Sequence, residues 1–250
     1  MVRRAHEPGI RELTGPGSAF LHPGSSSFGL ADGGQLERSF VALGRRVRSD
    51  LIRLADDLGS GTIGVSGYVN RARATIRTGY FTAYSLGAIS IFPFYTITDR
   101  DIAVLDRELD EETGFLRKFA SDIRSGHLDL NPTRRSGLYL LALRGIFEVG
   151  RVAALPAGPF SWKLGDQEHC VSCVEASVDG PYQKTRYSGL GLPELPGAPG
   201  DGSVCLGLTR CGCRIVMANG TPLPNQDLAD RMRGLLLEVM NGFSGAAPDS

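Results

Sequence analysis

The clearest pattern in the chain is a run of apolar residues with helical spacing that starts just after Gln35. Successive members are three or four positions apart, which places them on one stripe of a helix. Gly59 and Gly61 follow the last of them, so we predict an amphipathic helix that ends there. The seven members of the stripe are Leu36, Phe40, Leu43, Val47, Leu51, Leu54 and Leu58.

The same spacing predicts a second helix from near Ser66. Its apolar positions are Val69, Ala72, Ile76, Tyr80, Ala83 and Leu86. Further along, Asn131 and Pro132 supply an N-cap and a first-turn proline for another helix, which we expect to run to about Leu155. Glycines inside that helix are weak points unless another helix packs closely against them. They are Gly137, Gly145 and Gly150.

The segment TDRD at 98–101 predicts the start of a helix between these two. Thr98 can cap it, and Asp101 stands three residues on, which is close to a capping box. Gly126 marks the expected end of the helix. Its inward stripe consists of Ile102, Leu105, Leu109, either Phe115 or Leu116, Phe119 and Ile123.

Helical spacing fades at 155–162, where LPAGPFSW opens a stretch dense in Gly and Pro. RIVMANG, at 214–220, predicts a short strand followed by a turn. The segment 225–242 predicts a closing helix. Its expected inward residues are Leu228, Met232, Leu235, Leu236 and Val239.

These patterns predict a mainly α protein, with an antiparallel helical bundle or hairpin followed by a small irregular α+β cysteine-rich module that is zinc-knuckle-like. The expected divisions are a flexible arm at 1–34, rich in Gly, Ser and Pro, and a helical domain at 35–155. A cysteine-rich metal-binding module is expected at 156–220, and a C-terminal helix and tail at 221–250.

The charge balance points to no particular partner, because 27 basic residues meet 27 acidic ones. No apolar run approaches the roughly 18–20 residues of a transmembrane helix. The first residues contain two arginines but no apolar segment of the secretory type. We therefore expect the chain to fold in a reducing cytoplasm, where structural disulfides are rare.

All five cysteines of the chain lie between residues 168 and 213. Their odd number and the expected reducing compartment favour metal binding over a disulfide framework. Cys170 and Cys173 have the C-x-x-C spacing, which lets a tight turn direct two thiolates at one zinc ion. The Gly- and Pro-rich segment that follows them has little core of its own, so a metal crosslink would order it.

A structural zinc ion takes four ligands, so more donors than two are required. After Cys170 and Cys173 we expect Cys211 and Cys213, which flank Gly212. Cys205 and His169 would compete for any position that these four leave vacant, so one thiol is expected to be left over. The alternatives are buried thiols, disulfides that form after the protein leaves the cell, and a redox-active C-x-x-C pair. The last requires a strand-to-helix turn of a βαβ unit, which the sequence pattern does not indicate.

No catalytic signature is complete. GSGTIG, at 59–64, matches the dinucleotide-binding glycine motif, but it follows a helical stripe instead of a strand, so we interpret it as a loop between helices. The chain has no phosphate-binding P-loop and no G-x-S-x-G elbow. Its histidines are too scattered for a catalytic group: His6, His22, His127 and His169. We therefore expect a protein that is not an enzyme.

The order of residues from Trp162 onward resembles a known family. A tryptophan precedes the C-x-x-C, and a Pro- and Gly-rich stretch leads to Cys205 and then to the C-x-C-Arg at 211–214. This is similar to the cysteine-bearing C-terminal part of the minor head, or head morphogenesis, proteins of tailed bacteriophages. The upstream segments LDRELDEETGFLRKFASDIRSGHL and RSGLYLLALRGIFEVGR fit the same family, so the resemblance covers about 35–217.

The sequence departs from the family pattern at two positions, which affects the possible set of metal ligands but not the order of the motifs. The family often has Asn where Arg210 stands and Arg where Gly212 stands. The resemblance implies a structural virion protein that is assembled in the host bacterial cytoplasm. It implies portal or capsid proteins as partners and packaged DNA as a further contact, with no membrane and no small-molecule substrate. Head assembly or DNA passage would be its role.

Two other functions remain open from the sequence. The first is a zinc-stabilised nucleic-acid-binding module, for which the arginines of the first two helices are the support, although they also fit the solvated faces of amphipathic helices. The second is an enzyme that uses one reactive thiol. The arginines are Arg38, Arg45, Arg46, Arg48, Arg53, Arg71, Arg73 and Arg77.

Overall fold

Helices dominate the computed structural model, as the apolar spacing predicts. The structure describes residues 33–126, 132–165, 169–184, 188–198, 212–228, 230, 231 and 234. Within these residues the four long helices are α1 (Gly33–Gly59), α2 (Val65–Ile91), α3 (Asp99–Arg124) and α4 (Pro132–Ala153). The predicted arm lies outside the described residues, except that its last two positions begin α1.

Helix α2 lies at the centre of the bundle and packs against α1, α3 and α4. Its ion pairs with α3 show the direction of the two helices. Arg73 lies 2.6 Å from Asp110, and Arg77, one turn later, lies 3.3 Å from Asp106, one turn earlier. The two helices are therefore antiparallel.

The connection between α1 and α2 contains the glycine-rich GSGTIG segment at 59–64. Gly61 has a φ of +79°, a left-handed conformation that glycine adopts without steric cost. The segment is thus a loop between two helices, as predicted, and the dinucleotide-binding alternative lacks the preceding strand that it needs.

The bundle core consists of the apolar stripes that the sequence predicts. All six predicted inward residues of α2 are buried, as are six of the seven in α1. In α3 the inward residue of the pair Phe115 and Leu116 is Leu116, because Leu116 is fully buried and Phe115 is 60% exposed. The predicted capping box at the start of α3 is present, with Thr98 and Asp101 exchanging hydrogen bonds.

Helices α2 and α4 cross at close range through two glycines. A Cβ atom on Gly87 would lie 1.9 Å from the carbonyl oxygen of Phe147, and one on Gly150 would lie 2.1 Å from that of Tyr84. The predicted weak point at Gly150 is therefore a site of close helix packing, where any side chain would collide with the facing backbone.

A smaller substructure follows α4. It contains β1 (Phe160–Lys163), α5 (Val171–Val178) and β2 (Arg214–Met217), and β2 is the strand that RIVMANG predicts. The two strands pair antiparallel, with Phe160 opposite Met217 and Lys163 opposite Arg214. Neither β1 nor α5 was predicted. The second apolar cluster of the protein lies here, around Phe160 and Trp162.

The predicted closing helix is described only at its start. Residues 226–228, 230 and 231 are helical, and Leu228, the first predicted inward residue, is buried in the bundle core. The remaining predicted inward residues lie outside the described part. Within the described ranges, no helix has the length and apolar character needed to cross a membrane.

Candidate functional site

The C-x-x-C motif stands at the beginning of α5. Cys170 is the N-cap residue of this helix, with extended backbone angles, and Cys173 lies in its first turn. The N–H of Cys173 donates to the carbonyl oxygen of Cys170 at 3.0 Å. The two Sγ atoms lie 3.3 Å apart, so the motif places its thiols side by side as the spacing predicts.

The two cysteines differ in their access to solvent. Cys170 is half-buried, and Ser172 places its hydroxyl 3.4 Å from the Cys170 Sγ atom. Cys173 is 1% exposed and belongs to the apolar cluster, together with Trp162 and Cys213. The pair thus joins the surface of the substructure to its core.

Cys213 directly precedes β2 and lies against the loop that leads from β1 to α5. Two glycines make this approach possible: a Cβ on Gly165 would lie 2.5 Å from the carbonyl oxygen of Gly212. Across this contact the Nδ1 atom of His169 is 3.4 Å from the Cys213 Sγ atom. The segments at 165–169 and 212–213 therefore pack closely against each other at residues 165, 169, 212 and 213.

The hydrogen bonds of His169 determine the role of each ring nitrogen. Its Nε2 atom lies 2.9 Å from the carbonyl oxygen of Gly165, which can only accept, so Nε2 carries the proton. In the neutral imidazole Nδ1 is then an acceptor, to which the thiol of Cys213 can donate. Metal-binding histidines are held in this manner, with one N–H donated to a backbone carbonyl and the other nitrogen available to the metal.

The predicted metal ligands are only partly described. Cys170, Cys173 and Cys213 are placed as above, whereas Cys205 and Cys211 lie outside the described residues. Among the described residues no group of three or more potential ligands is arranged to hold a metal ion. The prediction that four residues from among the five cysteines and His169 bind zinc stays a prediction.

The cysteine sulfurs are of the chemical type that zinc binds, and the separation of two of them is close to that in a zinc site. Two sulfurs bound to one zinc at about 2.3 Å are separated by roughly 3.8 Å in a tetrahedral site. The 3.3 Å between the Sγ atoms of Cys170 and Cys173 is somewhat shorter than that value and longer than a disulfide bond of about 2.05 Å. The pair is therefore a dithiol that can bind a metal after a small outward movement.

Trp162 is the only tryptophan of the chain and stands beside this site. It is 3% exposed, shares the cluster of Cys173 and Cys213, and its indole N–H has no hydrogen-bond partner among the described residues. Its fluorescence is consequently a local probe of the thiols.

Two cationic side chains, half-buried Lys184 and buried Arg151, lie near the end of α4, and Lys184 links the substructure to the bundle. Lys184 donates hydrogen bonds to the carbonyl oxygens of Ala153 and Leu155, at the end of α4, and burial lowers the pKa of its ammonium group. Arg151, which is 1% exposed, pairs with Glu148 at 3.4 Å. The hydrogen bonds of Lys184 therefore hold the substructure that carries the cysteines against the end of α4.

Arg151 also reaches beyond its own helix. Its guanidinium donates to the hydroxyl of Ser90 in α2, and to the carbonyl oxygen of Asn225 and the side chain of Gln226. These last two stand at the start of the closing helix. One buried side chain thereby ties three parts of the chain together.

Most of the arginines that would support nucleic-acid binding have other roles. Arg48 is 4% exposed, and four more lie within 4.0 Å of a carboxylate. Arg38, Arg45 and Arg71 are exposed. The pairs are Arg46 and Arg53 with Asp50, Arg73 with Asp110, and Arg77 with Asp106.

Sequence reasoning missed the strand-to-helix context of the C-x-x-C motif. β1 precedes it and α5 begins at it, although the antiparallel pairing of β1 and β2 excludes a βαβ unit of these strands. The available signal was the alternation of Phe160 and Trp162 with polar residues, which marks a strand with one buried face. Four residues are too few to distinguish that pattern from chance.

Comparison of the chain with protein-family models, with curated proteins and with solved structures finds no match.

Proposed function

We propose that this chain is a structural, non-enzymatic minor head protein of a tailed bacteriophage, which acts at the capsid or portal in head assembly or DNA passage. The observation that supports this most directly is the pairing of β1 with β2. Trp162 lies opposite Ile215, and β2 follows directly on Cys213. The two segments that carry the resemblance are thus neighbours in one sheet, as parts of one module would be.

We also propose that a zinc ion completes the module. Cys170, Cys173 and Cys213 would supply thiolates, and the remaining position would fall to Cys205, Cys211 or His169. Zinc would provide a crosslink that stabilises the fold. In this role the metal compensates for a small apolar cluster, since the substructure is built on two four-residue strands and an eight-residue helix.

The zinc proposal is tested by elemental analysis of protein purified under reducing conditions. We expect one zinc per chain and loss of the metal on treatment with a chelator, together with a change in Trp162 fluorescence. Protein without stoichiometric zinc, whose fluorescence and protease resistance a chelator leaves unchanged, would contradict the proposal.

The head-protein proposal is tested in cells that carry the gene and release phage particles. We expect quantitative mass spectrometry of purified particles to find the protein in a few copies per portal complex. We also expect a strain lacking the gene to yield heads that are incomplete or empty. The proposal fails if the protein is absent from the particles and its deletion leaves particle yield and DNA content unchanged.

A second candidate is a zinc-stabilised module that binds nucleic acid. Arg38 and Arg45 are both exposed and line a shallow surface depression on α1 with Glu37, Val41 and Ala42. Duplex binding that weakens as salt rises, and that weakens further in the Arg38→Ala/Arg45→Ala protein, would favour it. Affinity that is independent of both salt and these arginines would exclude this surface.

A further inference from the structure

We propose that Cys170 and Cys173 form a reversible disulfide, which makes the start of α5 a thiol-oxidation site. Their Sγ atoms lie 3.3 Å apart, and small side-chain rotations bring them to the S–S bonding distance of about 2.05 Å. Only one consequence, the release of metal on oxidation, rests on the zinc-binding function proposed above.

The backbone holds the two cysteines within one helical turn. Cys170 and Cys173 close the first turn of α5 with a hydrogen bond of 3.0 Å from N–H to carbonyl oxygen. Side chains three residues apart in such a turn are neighbours. The bond can form by local adjustment, and the rest of α5 remains packed through Ala176.

The unequal burial of the two thiols assigns them different steps. Half-buried Cys170 is the sulfur that a dissolved oxidant can reach, whereas Cys173 is 1% exposed. Cys173 instead faces Cys170 from the core side. The outer thiol therefore reacts first, and the inner thiol resolves the intermediate.

The oxidant we assign is a low-molecular-weight disulfide such as oxidised glutathione. The Cys170 thiolate attacks one of its sulfurs, a mixed disulfide forms, and one glutathione thiolate leaves. The Cys173 thiolate then attacks the Cys170 sulfur and expels the second glutathione thiolate. Two electrons pass from the cysteines to the oxidant, and the protons of the two thiols end on two glutathione molecules.

Pairing with the third described cysteine is disfavoured by position. The thiol of Cys213 is engaged by Nδ1 of His169 at 3.4 Å, whereas the Sγ atoms of Cys170 and Cys173 lie 3.3 Å from each other. Oxidation should therefore stop at the bond between Cys170 and Cys173. Since both are proposed zinc ligands, the same bond would remove two thiolates from the metal and release it.

The tryptic map of the chain makes this testable without a variant. Cleavage after Lys163 and Lys184 yields a peptide, 164–184, that contains Cys170 and Cys173 and no other cysteine. Cys205 lies in 187–210, and Cys211 and Cys213 lie in 211–214. The reduced full-length protein is incubated with oxidised glutathione, alkylated, digested without reductant and analysed by mass spectrometry.

We expect peptide 164–184 to lose two hydrogens and to become resistant to alkylation, and we expect excess reduced glutathione to reverse both changes. A crosslink from 164–184 to another peptide, or a persistent glutathione adduct, overturns the proposal. So does a peptide that remains fully alkylated after prolonged oxidation. In the Cys173→Ser protein the mixed disulfide at Cys170 should accumulate, because the resolving thiol is gone.

The metal is followed in the same samples with a colorimetric zinc indicator. Zinc release in step with disulfide formation supports the full proposal. A disulfide in protein that never contained zinc leaves the thiol-oxidation site intact and contradicts only the zinc-binding function. Zinc retained by fully oxidised protein overturns the proposed release.

Discussion

At the scale of single residues, the carboxylate of Asp101 accepts four hydrogen bonds. Tyr84 donates to it at 2.5 Å and Tyr95 at 2.9 Å, and the backbone and side chain of Thr98 also donate. Burial alone would raise the pKa of Asp101, but these hydrogen bonds outweigh burial and leave that pKa lowered. The carboxylate therefore stays charged while fastening the entry of α3 to α2.

The buried tyrosines predict an alkaline loss of stability. Burial raises the pKa of Tyr84 far above its ordinary value of 10.0, and burial raises that of Tyr80 as well. Above pH 10 the unfolded chain loses these protons and the folded chain keeps them, so the free energy of unfolding falls as the pH rises. Denaturant titrations between about pH 9 and pH 11 should show this fall.

The Tyr84→Phe protein separates this effect from other alkaline titrations. We expect it to be less stable at neutral pH by about 1–2 kcal/mol, because Asp101 loses a buried donor. Its further loss above pH 10 should be smaller than that of the parent protein. An equal loss in both proteins would mean that Tyr84 ionises normally in the fold.

The thiols predict a local effect. Replacing Cys173, which is 1% exposed, with Ser places a hydroxyl in an apolar cluster and removes a proposed zinc ligand. Trypsin should then cut faster between 180 and 204, while the far-ultraviolet circular dichroism of the helices changes little. Ser172→Ala is the matched control, because it alters the neighbouring side chain and leaves both thiols in place.

At the scale of elements, the crossing of α2 and α4 predicts that alanine is harmful where it is normally helpful. Gly87→Ala places a Cβ 1.9 Å from the carbonyl oxygen of Phe147, so the helices must separate, at a cost of about 2 kcal/mol or more. Gly114→Ala in α3 meets none of the described residues within 4 Å and should gain about 0.5–1 kcal/mol. Chemical denaturation measures both changes.

Equal effects of the two alanines would contradict the close crossing. The comparison controls for the general helix preference of alanine, because both glycines stand inside long helices. The remaining difference between the variants is due to the backbone that faces Gly87, whereas none of the described residues lies within 4 Å of a Cβ on Gly114.

The long helices were predictable because their information is local. Each stripe repeats over several turns, so one ambiguous position such as Phe115 or Leu116 does not change the prediction. β1 has four residues and α5 eight, and β1 exists through its pairing with a strand more than fifty residues away. No local repeat specifies such elements, and tertiary pairing decides them.

The candidate site, like the fold, was predictable only where its contacts are local in sequence. The proximity of Cys170 and Cys173 was predictable, because the two residues share one helical turn. The contact of His169 with Cys213 was not, since it depends on the close approach of Gly165 to Gly212, two backbone segments far apart in sequence. A glycine in the sequence shows that a side chain is absent, but it does not show which other segment occupies the space.

At the scale of the whole molecule, the described residues from 33 onward form one compact unit that contains both apolar clusters. The proposed boundary near 155 falls where α4 ends and Lys184 donates to the carbonyl oxygens of Ala153 and Leu155. Cations favour the C-terminal end of a helix, where carbonyl groups lack partners within the helix. This side chain is therefore a defined link between the bundle and the strand pair.

The link predicts that Lys184→Met weakens the substructure and spares the bundle. Methionine keeps much of the apolar stem but removes both hydrogen bonds, so we expect the substructure to lose about 1–3 kcal/mol. Denaturation followed by Trp162 fluorescence should shift to lower denaturant, while the transition followed by far-ultraviolet circular dichroism should stay in place. Exposed Lys163 on β1 provides the control, since Lys163→Met should move neither transition. If Lys184→Met shifts both transitions together, the bundle and the strand pair unfold as one cooperative unit, and the boundary near 155 has no energetic meaning.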